Sequence, residues 1–139
     1  MQALRIDHVH VEVAERDKAA DWYHQTLGLR RHAPLAEWAK HPTGPLILEG
    51  GDGHPTLALF AREAREVSRD ATIAFRVTGD DFLAFLGKLD VLDLKDDKGQ
   101  ELTRADIVDH GRAWSIYFAD PDQNRLEVTT YDYAVVANA

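Results

Sequence analysis

The stretch 108–127, V-D-H-G-R-A-W-S-I-Y-F-A-D-P-D-Q-N-R-L-E, reads as a strand, a tight turn and the start of a second strand. Bulky residues alternate from Trp114 to Ala119, turn-forming residues fill Asp120-Pro121-Asp122-Gln123-Asn124, and alternation resumes over 125–131. Glu127 lies between the apolar Leu126 and Val128, so its carboxylate points away from the face those two bury. Tyr117 shares parity with Ser115 and opposes Trp114, Ile116 and Phe118, which turns its phenol toward the same open side. With His110 just ahead of the hairpin, an acid, a phenol and an imidazole suggest a reactive cavity rather than a solvated rim.

Working outward, the chain repeats itself. The strand-like segments 6–13 and 71–77 are each followed by a helical stretch, and they align with Val9 over Ile73, Val11 over Phe75 and Val13 over Val77. The odd-numbered residues of both strands are apolar and are expected to face a helix. The even-numbered residues face the other way: His8, His10 and Glu12 in the first copy, Thr72, Ala74 and Arg76 in the second. The first helix carries Ala19, Trp22, Tyr23 and Leu27 at helical spacing, with Gly28 placed to end it at positive φ. The second carries Phe82, Phe85, Leu86 and Leu89. Further strands are expected at 29–39, 46–49 and 56–61, and at 106–109, 114–119 and 125–131. Segment 94–104 reads as a polar connection or a small hairpin, 63–70 as the link between copies, and the tail after Tyr133 as loose or helical. Gly50-Gly51-Asp52-Gly53 lacks a following Lys-Ser/Thr and reads as a hairpin turn rather than a phosphate loop.

Composition removes several function classes. The 139 residues, 45% hydrophobic and 29% charged, suit a globular domain with a core of its own. A net charge of −8 with no basic stripe disfavours nucleic acid and anionic membrane as partners. The absence of Cys excludes disulfides, thiolate metal sites and Cys nucleophiles. Charged residues and histidines interrupt residues 1–13, which does not read as a signal peptide, and no apolar run approaches the roughly 18 residues of a membrane span. A cytoplasmic protein is the expectation.

Each copy thus reads β-α-β-β-β, an α+β arrangement in which one helix covers one face of a sheet and leaves the other face open. The chain resembles the vicinal oxygen chelate superfamily, which includes glyoxalase I, bleomycin-resistance proteins, fosfomycin-resistance transferases and extradiol dioxygenases. The resemblance covers nearly the whole chain. It rests on Asp7-His8-Val9, on Trp22-Tyr23-His24-Gln25-Thr26-Leu27-Gly28-Leu29, and on the spacing His110, Ile116-Tyr117, Asp120-Pro121, Glu127. It implies one domain over 1–139, with modules at about 1–62 and 71–133, forming a curved half-open barrel. Gln123 stands where the family's D-P-D-G-N turn has Gly, at a position that often needs positive φ; Asn124 is expected to take part of that geometry.

The resemblance also assigns candidate residues. Superfamily metal ligands come from positions held here by His8, Ala58, Thr72 and Glu127, of which only His8 and Glu127 match. A dioxygenase site needs two His and one carboxylate on one face of a divalent metal, Fe or another. His10 lies roughly 7 Å further along the strand from His8, far for joint chelation. The family places His110 and Tyr117 as acid/base and substrate-binding residues; Tyr117 also reads as an aromatic wall. His8 reads equally as a polar residue satisfied at a strand end. Arg76 reads either as a salt-bridge partner of Glu12 or as a clamp for an anionic substrate. Ala58, Phe60 and Trp38 complete the expected lining. Three functions remain open: a metal-dependent dioxygenase or lyase acting on a small aromatic or oxygenated substrate, a metal-free binding protein of the bleomycin-resistance type, and a metal-independent acid/base enzyme. A small-molecule ligand and a homodimer are the expected partners.

Overall fold

The computed structural model describes residues 1–62 and 71–139. The expected link at 63–70 lies outside the described residues. The chain divides into two compact units, Met1–Arg65 and Glu66–Ala139. Each is built on a four-stranded mixed sheet that does not close on itself.

The first unit runs β1 (Val9–Val13), α1 (Arg16–Leu27), β2 (Arg30–Arg31), β3 (Leu46–Glu49) and β4 (Pro55–Ala61), in the sheet order β1-β4-β3-β2. β1 runs parallel to β4, with Val9 beside Leu57 and Val11 beside Leu59, while β3 runs antiparallel to β4. Val11, Leu46, Leu48, Leu57 and Leu59 are buried on one side with Ala19, Ala20 and Tyr23 of α1. Full burial of a large apolar side chain is worth about 1.5–3 kcal/mol, so this single-helix layer accounts for much of the unit's cohesion. α1 ends as the sequence predicts. Gly28 takes φ 69°, its N–H donates to the His24 carbonyl at 2.9 Å, and Leu29 N–H reaches back to the Tyr23 carbonyl at 3.4 Å. The turn at 50–53 also forms, with Gly50 N–H donating to the His54 carbonyl.

Two expected strands differ: 106–109 keeps only Val108–Asp109, with Asp106 in a 3-10 turn, and 29–39 departs further. Residues 29–39 give only the two-residue β2, after which Ala33–Lys40 winds into 3-10 turns kinked at Leu35. Pro34 supplies a fixed φ and no N–H, which suits the first turn of a helix and spoils a strand ladder. Arg16 then fixes the far end of the segment. Its guanidinium donates to the carbonyls of Ala39 (3.0 Å), His41 (3.2 Å) and Gly44 (2.5 Å). Trp38 therefore sits on an exposed turn rather than on a strand.

The second unit repeats the plan with β5 (Thr72–Arg76), α2 (Gly79–Leu86), α3 (Leu89–Leu92), β6 (Val108–Asp109), β7 (Trp114–Ala119) and β8 (Arg125–Thr130), followed by α4 (Tyr133–Ala137). Its sheet order is β5-β8-β7-β6. Thr78 caps α2 by accepting from Asp81 N–H, and Asp80 and Asp81 place negative charge in the first turn. Phe82, Leu86, Ile116, Phe118, Leu126 and Val128 are buried. Segment 94–104 contains the small hairpin, since Lys95 bridges Glu101 and Asp96 N–H donates to the Gln100 carbonyl. The tail is helical, as α4. The β7–β8 turn carries its positive φ at Gln123 (70°), not at Asn124. The buried Asp120 carboxylate holds it by accepting from the N–H groups of Asp122 and Asn124 and from the Asn124 side-chain amide. Among the described residues, no helix is long and apolar enough to cross a membrane.

Candidate functional site

Strand alternation puts the polar groups of the second unit on the sheet face opposite Leu126 and Val128. Three registers order them into rows: Tyr117 pairs with Glu127 and Glu127 with Ala74; Ser115 with Thr129 and Thr129 with Arg76; Ala119 with Arg125 and Arg125 with Thr72. His110 sits on the loop between β6 and β7, and its Nε2 lies 3.1 Å from the Tyr117 hydroxyl, with the two rings edge-on. Nε2 accepts from the phenol when the ring proton is on Nδ1 and donates to it in the other tautomer. His110, Tyr117 and Glu127 thus gather on one face, as their spacing implies.

Ser115 joins them. Its hydroxyl donates to Glu127 Oε1 at 2.7 Å and lies 2.9 Å from Thr129 Oγ1. One hydroxyl carries one proton, so with the Ser115 proton on the carboxylate, the Thr129 proton is the one left for the Ser115 oxygen or the Trp114 carbonyl at 3.3 Å. Burial, and then the negative charge of Glu127, push the Tyr117 phenol above the ordinary tyrosine range. At neutral pH it therefore keeps its proton beside an imidazole and a carboxylate. Arg76 lies over the Tyr131 ring at 4.9 Å, and Arg125 Nε is 3.9 Å from Asp97.

The open face of the first unit has a different chemistry. His10 stacks against Phe60 with centroids 4.0 Å apart, Arg62 lies over the same Phe60 ring at 5.3 Å, and Glu12 is 3.7 Å from Arg62 Nε. Glu12 thus has a charged partner, Arg62, in its own unit. Ala58, beside His10 in register, is fully buried and offers no donor. His8 precedes β1, and its Nδ1 lies 2.7 Å from Asp7 Oδ2. That hydrogen bond holds the Asp7 carboxyl below its usual range.

Of the four superfamily ligand positions, two carry side chains that suit a metal and two do not. Asp7 on Nδ1 leaves His8 Nε2 free, the way carboxylates orient metal-binding imidazoles. Glu127 is a carboxylate, but Ala58 has nothing to offer and the Thr72 hydroxyl is a poor ligand. Among the described residues, neither unit brings together three His, Asp or Glu side chains fit to hold an ion. Among the described residues of each unit, the side chains present do not fit a resident metal.

Ser115, Thr129, Arg62 and Asp7 were not recognised as site residues from sequence. For two of them a signal existed: Ser115 has the parity of Tyr117, and Thr129 that of Glu127, which places two hydroxyls beside a carboxylate.

The sequence pattern of the Glyoxalase/Bleomycin resistance protein/Dioxygenase superfamily matches residues 5–128. The chain belongs to that superfamily. Solved superfamily-like structures superpose along most of the chain. A glyoxalase family protein from Bacillus anthracis shares 20% identity and a TM-score of 0.68 over 94% of this chain and 98% of its own. The oxidase ChaP-H1 shares 21% with TM-score 0.67 over 94% and 98%. The fosfomycin resistance protein FosX from Listeria monocytogenes shares 12% with TM-score 0.65 over 97% and 99%. At these identities the likeness is one of fold. No curated protein sequence matches.

Proposed function

We propose that this superfamily member binds a small aromatic or oxygenated molecule against the open face of its second unit, and acts on its ligand's protons rather than through a resident metal. One observation carries the reading: the His110–Tyr117 hydrogen bond on the face of Glu127, with the phenol kept protonated. A protonated phenol donates to a ligand oxygen, the imidazole beside it takes or returns a proton, and the carboxylate, steadied by Ser115, orients a ligand hydroxyl. These are the roles needed to bind a phenol or enol and to move a proton on it. The incomplete ligand positions, Ala58 and Thr72, support the metal-free part. A net charge of −8 supports a neutral or cationic ligand over an anionic one.

The test is a calorimetric titration with a panel of phenols and catechols, in chelator and again with added Fe(II), Zn(II) or Mn(II). Binding in chelator is expected, weakened about tenfold by Tyr117→Phe, the size of one lost hydrogen bond to a ligand. Binding only with metal added overturns the reading. Following the bound compound by absorbance separates an enzyme from a sequestering protein, since only the former consumes it.

A further inference from the structure

The loop that carries His110 is fastened from outside the face it serves. The β6–β7 hairpin turns through residues 110–113, with His110 N–H donating to the Ala113 carbonyl at 2.9 Å and Gly111 at φ 80°. The Asp109 carboxylate closes this turn, its Oδ1 accepting from Gly111 N–H at 2.7 Å. Its other oxygen, Oδ2, accepts at 2.8 Å from the hydroxyl of Tyr133, the first residue of α4. Tyr133 is itself held twice by Trp114, the residue paired with Asp109 across the hairpin. Their rings stack with centroids 5.2 Å apart, and the indole N–H donates to the Tyr133 carbonyl at 3.2 Å.

We infer that Tyr133 is a positioning residue for His110: through Asp109 it sets the loop so that the imidazole meets the Tyr117 hydroxyl. The inference rests on the proposed role of the His110–Tyr117 pair, but the geometry it predicts is measurable with no ligand present. An Asp109 carboxylate whose two oxygens are both engaged has little freedom to release the turn. The Tyr133 phenol, pushed up chiefly by its hydrogen bond to Asp109, stays a donor at neutral pH.

Imidazole-tuned ¹H–¹⁵N spectra test this. Tyr133→Phe keeps the stacking ring and removes only the hydroxyl. It is expected to move the His110 ring nitrogens toward free-imidazole positions while His24 and His41 stay in place. Asp109→Ala should give the same change, and Asp109→Asn, which keeps an acceptor, should largely restore the wild-type spectrum. Unmoved His110 nitrogens in Tyr133→Phe overturn the inference and leave Tyr133 as packing alone. Hydrogen exchange supplies a check without a collapsed variant: the Gly111 amide of the unsubstituted protein should exchange at least about fivefold slower than an unstructured glycine, as one held hydrogen bond requires. An unprotected Gly111 also overturns it. Neither readout depends on ligand binding, so a failed titration with phenols leaves this result separately interpretable.

Discussion

At the scale of single residues, the β7–β8 turn and the Tyr117 phenol make the sharpest demands. Gln123 holds φ 70°, a left-handed conformation that costs a residue with a Cβ about 1 kcal/mol or more, while Asp120 clamps both sides of it. Gln123→Gly is therefore expected to raise stability by up to about 1 kcal/mol, less the entropy that glycine adds to the unfolded chain, read as a higher denaturant midpoint. A lowered midpoint would mean that the Gln side chain contributes more than its backbone costs. Tyr117 predicts a pH dependence. Its folded pKa is raised, so the unfolded chain gives up this proton first, near pH 10, and the native state retains it. The contribution is fully present below pH 10 and is lost as pH rises through the higher native value. Tyr117→Phe should flatten that part of the alkaline decline in thermal melts, and an identical decline in both proteins would remove the phenol from the account.

Between residues and the whole lie the elements, and here the sequence was legible to different depths. β3 and β7 have the bounds that the sequence predicts, because each has neighbours on both sides and apolar residues to bury. The α1 terminus was legible at Gly28 for a steric reason that no tertiary contact alters. The segment after β2 was not. Its apolar residues fit an extended pattern, but Pro34 and the three carbonyls taken by Arg16 decide for 3-10 turns, and the guanidinium that decides it lies in α1. The site divides in the same way. Parity alone turned Tyr117, Ser115 and Glu127 to one side, yet which hydroxyl meets the Glu127 carboxylate is decided only by the β7–β8 register. The α2–α4 contact is another that needs the fold. A Cβ on Gly79 would lie 2.8 Å from Val135 Cβ and 2.9 Å from Asp132 Cβ, and Gly79 N–H donates to Asp132 at 2.7 Å. Gly79→Ala should displace α4 and cost about 1–3 kcal/mol in chemical denaturation, the usual range for overpacking. A loss below a few tenths would show that α4 yields freely.

At the scale of the whole molecule, the sheet edges bear on assembly. In their own sheets β1 and β5 are edge strands of five residues, while the opposite edges, β2 and β6, are only two residues long. Short edges are self-protecting, whereas a five-residue edge presents a row of backbone donors and acceptors that natural sheets cover, charge or pair. β1 is preceded by Leu4 and Ile6, which are 98% and 78% exposed, and half-buried Ile73 and Phe75 alternate along β5. Exposed apolar residues leading into a strand at the edge of its own sheet suit a self-complementary contact, and two-fold pairing of identical chains is the commonest way proteins build one. We therefore expect a homodimer. Sedimentation velocity at micromolar concentration should give twice the 15.6 kDa of a single chain, and the double substitution Leu4→Lys with Ile6→Lys should move the boundary toward the monomer without changing the helical signal in circular dichroism. A single 15.6 kDa species at that concentration defeats the dimer. A dimer that survives both lysines would place its interface away from the chain leading into β1.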